Sequence, residues 1–285
     1  MTPPPADRSS AASQGEAKRE ATTGAGAATP PNTLRAIWDQ IGTLVLAVVI
    51  ALGVRACVIE PFRIPSGSML PTLLIGDHLF VNRFLYGIKV PFTDYRLPGL
   101  REPQRGDVVV FTVARDPVRG EGPGGVYPAD LRPDLPTESF VKRIVGMPGD
   151  VIEVHEGVVS VNGKTVEQQP TGETFLDPRG FGFQVEREKI DGREHLTLHD
   201  PRDSGRDGAW RVEPGRYLMM GDNRDQSYDS RYWGTVREAE FKGPAFVIYW
   251  SWDFQGSWLS MLNPFTWWDL LLHRMRWERI GKPVT

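Results

Sequence analysis

Apolar positions follow two patterns along this chain. Between Gln40 and Val54 the residues are uncharged and mostly apolar, and beyond Arg55 the run resumes from Ala56 to Ile59. From about residue 60 the pattern changes to short β-branched runs punctuated by Gly, Pro and Asp. Such runs predict strands at Asp77–Val81, Asp107–Val113, Phe140–Val145, Val151–Val154, Val158–Val161, Tyr217–Met220 and Ala245–Tyr249. Asn162-Gly163 follows one of them, a pair that suits a tight hairpin. Helical periodicity is scarce in this part, so a mainly β domain is expected.

The early apolar run reads as a transmembrane anchor over residues 34–59. Counted through Ile59, with Arg55 reaching to the interface, it approaches the ~20 residues that a spanning helix needs. Trp38 would mark the opposite boundary. A buried core helix fits such uniform hydrophobicity poorly, and Gly53-Val54-Arg55-Ala56 is a poor site for leader cleavage. Residues 1–33 are Ala, Pro, Thr, Ser and Gly with scattered charges, and are read as a disordered tail.

Two polar stretches interrupt the strand pattern. Residues 116–136 are expected to form a long irregular loop, and 166–210 an inserted subdomain with turns at Asp191-Gly192 and Asp207-Gly208. The catalytic β core would then comprise 60–165 and 211–250. Residues 251–285 form a Trp-rich C-terminal segment, in which Asn263-Pro264 reads as a helix start. A helix at a membrane interface and one packed on the sheet are both compatible with it.

Composition narrows the function. The 285 residues are 40% hydrophobic and 24% charged, with a net charge of −3 and no concentrated basic face, which disfavours nucleic acid as a partner. Cys57 is the only cysteine, so no internal disulfide can form and thiolate metal sites are excluded. Of the five histidines, His78, His155, His195, His199 and His273, none sits in a segment with an evident acid partner. Each is expected to be an ordinary surface residue, and no metal site is expected.

Three segments carry the chemistry. Pro65-Ser66-Gly67-Ser68-Met69-Leu70-Pro71 sets two hydroxyls in a turn between prolines. Phe140-Val141-Lys142-Arg143-Ile144-Val145 places a lysine on a strand face with Phe140 and Ile144, while Arg143 points the other way. A lysine acts as a base only when neutral, and burial depresses its pKa from about 10.4. By itself such a lysine would more ordinarily snorkel to water. The third segment is Gly221-Asp222-Asn223-Arg224-Asp225-Gln226-Ser227-Tyr228-Asp229-Ser230-Arg231.

Together and in this order, the three segments closely resemble the boxes of bacterial type I signal peptidases, membrane-bound serine–lysine proteases. Gly76–Gly87 and Arg105–Phe111 also resemble family segments. The resemblance implies a signal-peptidase-like β catalytic core behind one N-terminal transmembrane helix. It makes Ser68 the nucleophile and Lys142 the general base, with the Ser68 amide and Ser66 hydroxyl holding the oxyanion. Ser227 would hydrogen-bond the lysine amine, Asp229 and Arg231 would pair behind the site, and Asp222 would support the loop. Ile64, Pro65, Met69, Leu73 and Phe140 are the candidates for substrate pockets. No cofactor is needed. The implied partners are exported preproteins and the lipid bilayer, with the catalytic domain of a monomer on the outer side of the bacterial cytoplasmic membrane. The competing readings are a membrane-anchored binding protein without catalysis and a self-cleaving repressor. The latter would need a DNA-binding N-terminus that this chain does not show.

Overall fold

The structure, a computed structural model, describes residues 38, 40–48, 50, 59–87, 97–119, 124–177, 180–253 and 270–285. The chain divides into two compact units, Met1–Val48 and Val49–Thr285. In the first, residues 40–48 are helical, and Ile41, Leu44, Val45, Leu46 and Val48 are all exposed. Among the described residues no helix is long and apolar enough to cross a membrane. Much of the expected anchor, including Cys57, lies outside the described residues. Ile59, its expected end, instead opens a strand.

The second unit is built from three sheets. The largest has eight strands: β1 (Ile59–Arg63), β2 (Asp77–Asn82), β15 (Phe241–Ser251), β3 (Val108–Arg115), β5 (Thr137–Gly146), β13 (Arg216–Met220) and β14 (Val236–Arg237) in that order, with β4 (Val126–Pro128) beside β3. The apolar run Val108–Phe111 that opens β3 follows from burial on both faces. Val109, Phe111 and Val113 join Ile144, Met219 and Phe241 in one core. Val108 and Val110 face the other, with Ile64, Met69, Leu73, Leu79 and Val81.

A second sheet has the order β12 (Gly208–Arg211), β6 (Val151–His155), β7 (Val158–Val161), β8 (Lys164–Thr165). Asn162 and Gly163 both take positive φ, 52° and 76°, between β7 and β8, as a two-residue hairpin turn requires. The third sheet, β11 (Arg193–His199), β10 (Gly182–Ile190), β9 (Glu167–Leu176), lies within the polar 166–210 stretch, where the sequence suggests a strand only at Leu196-Thr197-Leu198, between His195 and His199. Strand β12 starts inside the same stretch but pairs with β6. The 116–136 stretch, expected to be irregular, contributes β4.

The third sheet has its own small core, in which Phe183, Val185 and Leu198 enclose Leu70 from the Ser68 turn. Residues 222–224 run against its edge: Leu198 N donates to Asp222 O at 2.8 Å, and Arg224 N to Leu198 O at 3.0 Å. At the far end of the chain, the expected helix start at Asn263-Pro264 lies outside the described residues. Residues beyond it return to the large sheet, with Gly281 N donating to Ile248 O at 2.8 Å and Arg279 paired to Asp77.

Candidate active site

Strand β5 and the turn after β1 bring two of the segments together. Lys142 is 4% exposed, and its Nζ is in hydrogen-bond contact with Ser68 Oγ. The amine also lies 5.8 Å from the Phe140 ring centroid. Burial lowers its pKa to about 8; the negative charges of Asp229 and Asp222 oppose that shift and Arg231 adds to it. Ser66 Oγ is 3.5 Å from Ser68 Oγ, on the exposed side of the turn.

The third segment clamps the turn. Asn223 N donates to Ser68 O at 3.2 Å, and Asn223 Nδ2 to Gly67 O at 3.1 Å. Gly221 packs so closely here that a Cβ on it would lie 2.3 Å from both the Ser68 carbonyl oxygen and Ser227 Oγ. Gly221→Ala must therefore shift one of these groups. A displacement of about 1 Å can cost about 10²-fold in rate, so kcat/KM should fall by about that factor. A variant with unchanged kinetics would show that the turn has room to yield.

Behind the two side chains lie buried ion pairs. Asp229 caps the single helical turn Ser230–Trp233, accepts from Gly221 N at 3.0 Å, and is held by both Arg231 Nε and Nη2 at 2.9 Å. Asp222 is gripped by Arg143 at 2.8 and 2.7 Å and accepts from Thr72 Oγ1 at 2.6 Å. Burial pushes the Asp222 carboxyl upward, but the Arg143 guanidinium reverses this and holds it below the usual range. A third pair joins Arg224 to Glu188 of β10, with Nη2 to Oε1 at 2.7 Å.

Several expectations change. Ser227 is buried close to Gly221, but its hydroxyl has no hydrogen-bond partner among the described residues, so it does not hold the Lys142 amine in this structure. Leu73 is fully buried in the core and does not line the cleft. Ile64, Pro65, Met69 and Phe140 do line it. The histidines are not all on the surface. His195 is buried with Nε2 at 3.4 Å from Glu188, and His199 on the same strand face is largely covered. Residues four apart in a strand share a face, and here that face is the covered one.

The cleft holding Ser68 and Lys142 encloses about 660 Å³. Its floor includes part of β5. Strand β3 pairs with β5 from Thr137 to Arg143, whereas β13 pairs only with Arg143, Ile144 and Gly146. Among the described strands, residues 138–142 thus have one free backbone edge. A hydroxyl in contact with a buried amine, beside an unpaired strand edge, has the parts needed for attack on an extended peptide.

Comparison with known proteins agrees with this chemistry. The family described as signal peptidase, peptidase S26, matches residues 37–250. A signal peptidase I of Pseudomonas fluorescens is 38% identical over 217 residues, covering 71% of this chain and 69% of its own. That of Pseudomonas aeruginosa is 37% identical over 220 residues, with the same coverages. A crystal structure of a signal peptidase I from Enterococcus faecalis matches 50% of this chain and 97% of its own at 22% identity, with a TM-score of 0.28. A family match over most of the chain, together with relatives at this identity and coverage, shows that the protein belongs to the signal peptidase, peptidase S26, family and is a peptidase.

Proposed function

We propose that this protein removes N-terminal signal peptides from exported preproteins, with Ser68 as nucleophile and neutral Lys142 as general base. One observation carries the assignment: Lys142, almost wholly withdrawn from solvent, touches the Ser68 hydroxyl with its amine. A neutral amine accepts the hydroxyl proton as Ser68 Oγ attacks the carbonyl carbon of the scissile bond. The protonated lysine then delivers that proton to the leaving amine. Water attacks the acyl-serine in the second half, again losing its proton to Lys142, which passes it to Ser68 Oγ as the acyl–oxygen bond breaks and the cleaved peptide leaves with its new carboxyl group. The Ser68 amide and Ser66 hydroxyl are assigned to the developing oxyanion. The Asp229–Arg231 and Asp222–Arg143 pairs fix the backbone that presents these groups.

The substrate is an extended segment paired with the free edge of β5, its small side chains facing Ile64, Pro65, Met69 and Phe140. The exposed apolar helical residues at 40–48 support a membrane anchor. That the catalytic unit lies outside the bacterial cytoplasmic membrane follows from the family resemblance alone. The relatives named signal peptidase I support the substrate class.

Detergent-solubilised wild-type protein should convert a preprotein to its mature form, and Ser68→Ala should not. Equal conversion by both would defeat the assignment. Retained preprotein binding with no cleavage by the wild type would favour a binding module.

A further inference from the structure

Strand alternation gives the cleft a charged end that the chemistry above does not use. Lys142, Phe140 and Glu138 are spaced by two along β5 and present their side chains to one face. Glu138 lies opposite Val113 of β3, which places Arg115 diagonally across the same strand pair. Arg115 Nε and Glu138 Oε2 are 3.0 Å apart, and both residues line the cleft that holds Ser68 and Lys142. Both side chains remain partly open to solvent, so neither charge is locked away from an incoming chain.

We infer that the Arg115–Glu138 pair forms a polar subsite for the fourth or fifth substrate residue ahead of the cut bond. This rests on the peptidase reading above. Glu138 is four strand positions from Lys142, or about 13 Å at the ~3.3 Å rise of a strand. A substrate strand lying along the free edge of β5 advances at the same rate, so about four of its residues separate the reacting carbonyl from Glu138. Directly opposed side chains on paired strands lie within about 5.5 Å, close enough for charge to be felt. Phe140, one of the apolar walls assigned to the residues ahead of the bond, lies midway between Lys142 and Glu138 along β5, so those residues are taken to run toward the pair.

The intact pair presents both signs, so it accepts a polar side chain of either charge. Removing one partner leaves a single charge and must give a preference whose sign depends on which partner was removed. The test uses preproteins carrying Lys or Glu at each position flanking the bond, cleaved by wild type, Arg115→Gln and Glu138→Gln. The readout is the ratio of kcat/KM for the Lys and Glu substrates. Each ratio is taken within one variant, so partial loss of folded protein cancels.

At the fourth or fifth residue ahead of the bond, the wild-type ratio should be near unity. It should move by about threefold toward Lys in Arg115→Gln and about threefold toward Glu in Glu138→Gln, the scale of a cross-strand charge pair. Flat ratios in both variants, the same sign in both, or a reversal only beyond the bond would overturn the subsite. Those outcomes leave the peptidase assignment standing. Failure of the wild type to cleave any preprotein would instead remove its basis.

Discussion

Lys142→Met is expected to reduce kcat/KM by about 10⁴-fold or more, since loss of a base acting as one unit with its nucleophile removes nearly all of their joint contribution. The protein should stay folded, because an unbranched apolar side chain suits the setting that now depresses the amine. A second signature separates this from simple damage. Below about pH 8 both folded and unfolded chains carry the lysine proton, and the folded state bears the full penalty of burying the charge. Between about 8 and the free value of 10.5 the folded chain has released the proton while the unfolded chain still holds it. Stability should therefore rise with pH across that window, by an increment on the order of 3 kcal/mol. Denaturant unfolding on either side of the window should show this increment in wild type and lack it in the methionine variant. Parallel curves would mean that the amine is ionised in the native protein. Activity should rise with the same group, with a midpoint near pH 8. A midpoint near the free histidine value of about 6.5 would indicate a different base.

Asp222→Ala should cost about 3–5 kcal/mol, because it strands the Arg143 guanidinium as a buried, unpaired charge. Arg143 is 1% exposed and Asp222 0%. Thr72, on the Ser68 turn, loses its hydrogen-bond partner in the same substitution. Activity should therefore fall beyond what the unfolded fraction explains. Arg143→Leu combined with Asp222→Leu removes both charges, and should be more stable than Asp222→Ala alone. Chemical denaturation midpoints decide the matter: a single variant within 1 kcal/mol of wild type, about the worth of a surface pair, would contradict the geometry.

Much of this was legible from residues alone. The β-branched runs marked seven strands of the large and second sheets because those strands bury one or both faces with apolar side chains. Asn162-Gly163 marked its turn because few other pairs tolerate two positive φ values. The contact between Ser68 and Lys142 was legible through resemblance, since no pattern in one sequence reports a distance across 74 positions.

Apart from Leu196-Thr197-Leu198 of β11, the third sheet was missed for a physical reason. Its β9 strand is mostly exposed, and β10 is rich in charged residues, so period-two apolar alternation is faint. Glu188 was missed with it. Val185 and Ile190 belong to different cores, so β10 is covered on both faces, and Glu188 is buried only because Arg224 comes from far along the chain to meet it. A surface prior for His195 fails for the same cause. The Ser227 hydroxyl shows the converse limit: the motif assigned it to the Lys142 amine, and the structure leaves it without a hydrogen-bond partner among the described residues.

The links from β10 and β11 to residues 222–224 mean that the polar extension cannot be trimmed to make a smaller enzyme. Excising 167–199 would expose Leu70 one turn from the nucleophile, abandon Arg224 in a low-dielectric interior, and deprive the peptide groups of Asp222 and Arg224 of Leu198. What reads as an accessory graft along the chain is, in three dimensions, part of the foundation beneath the hydroxyl.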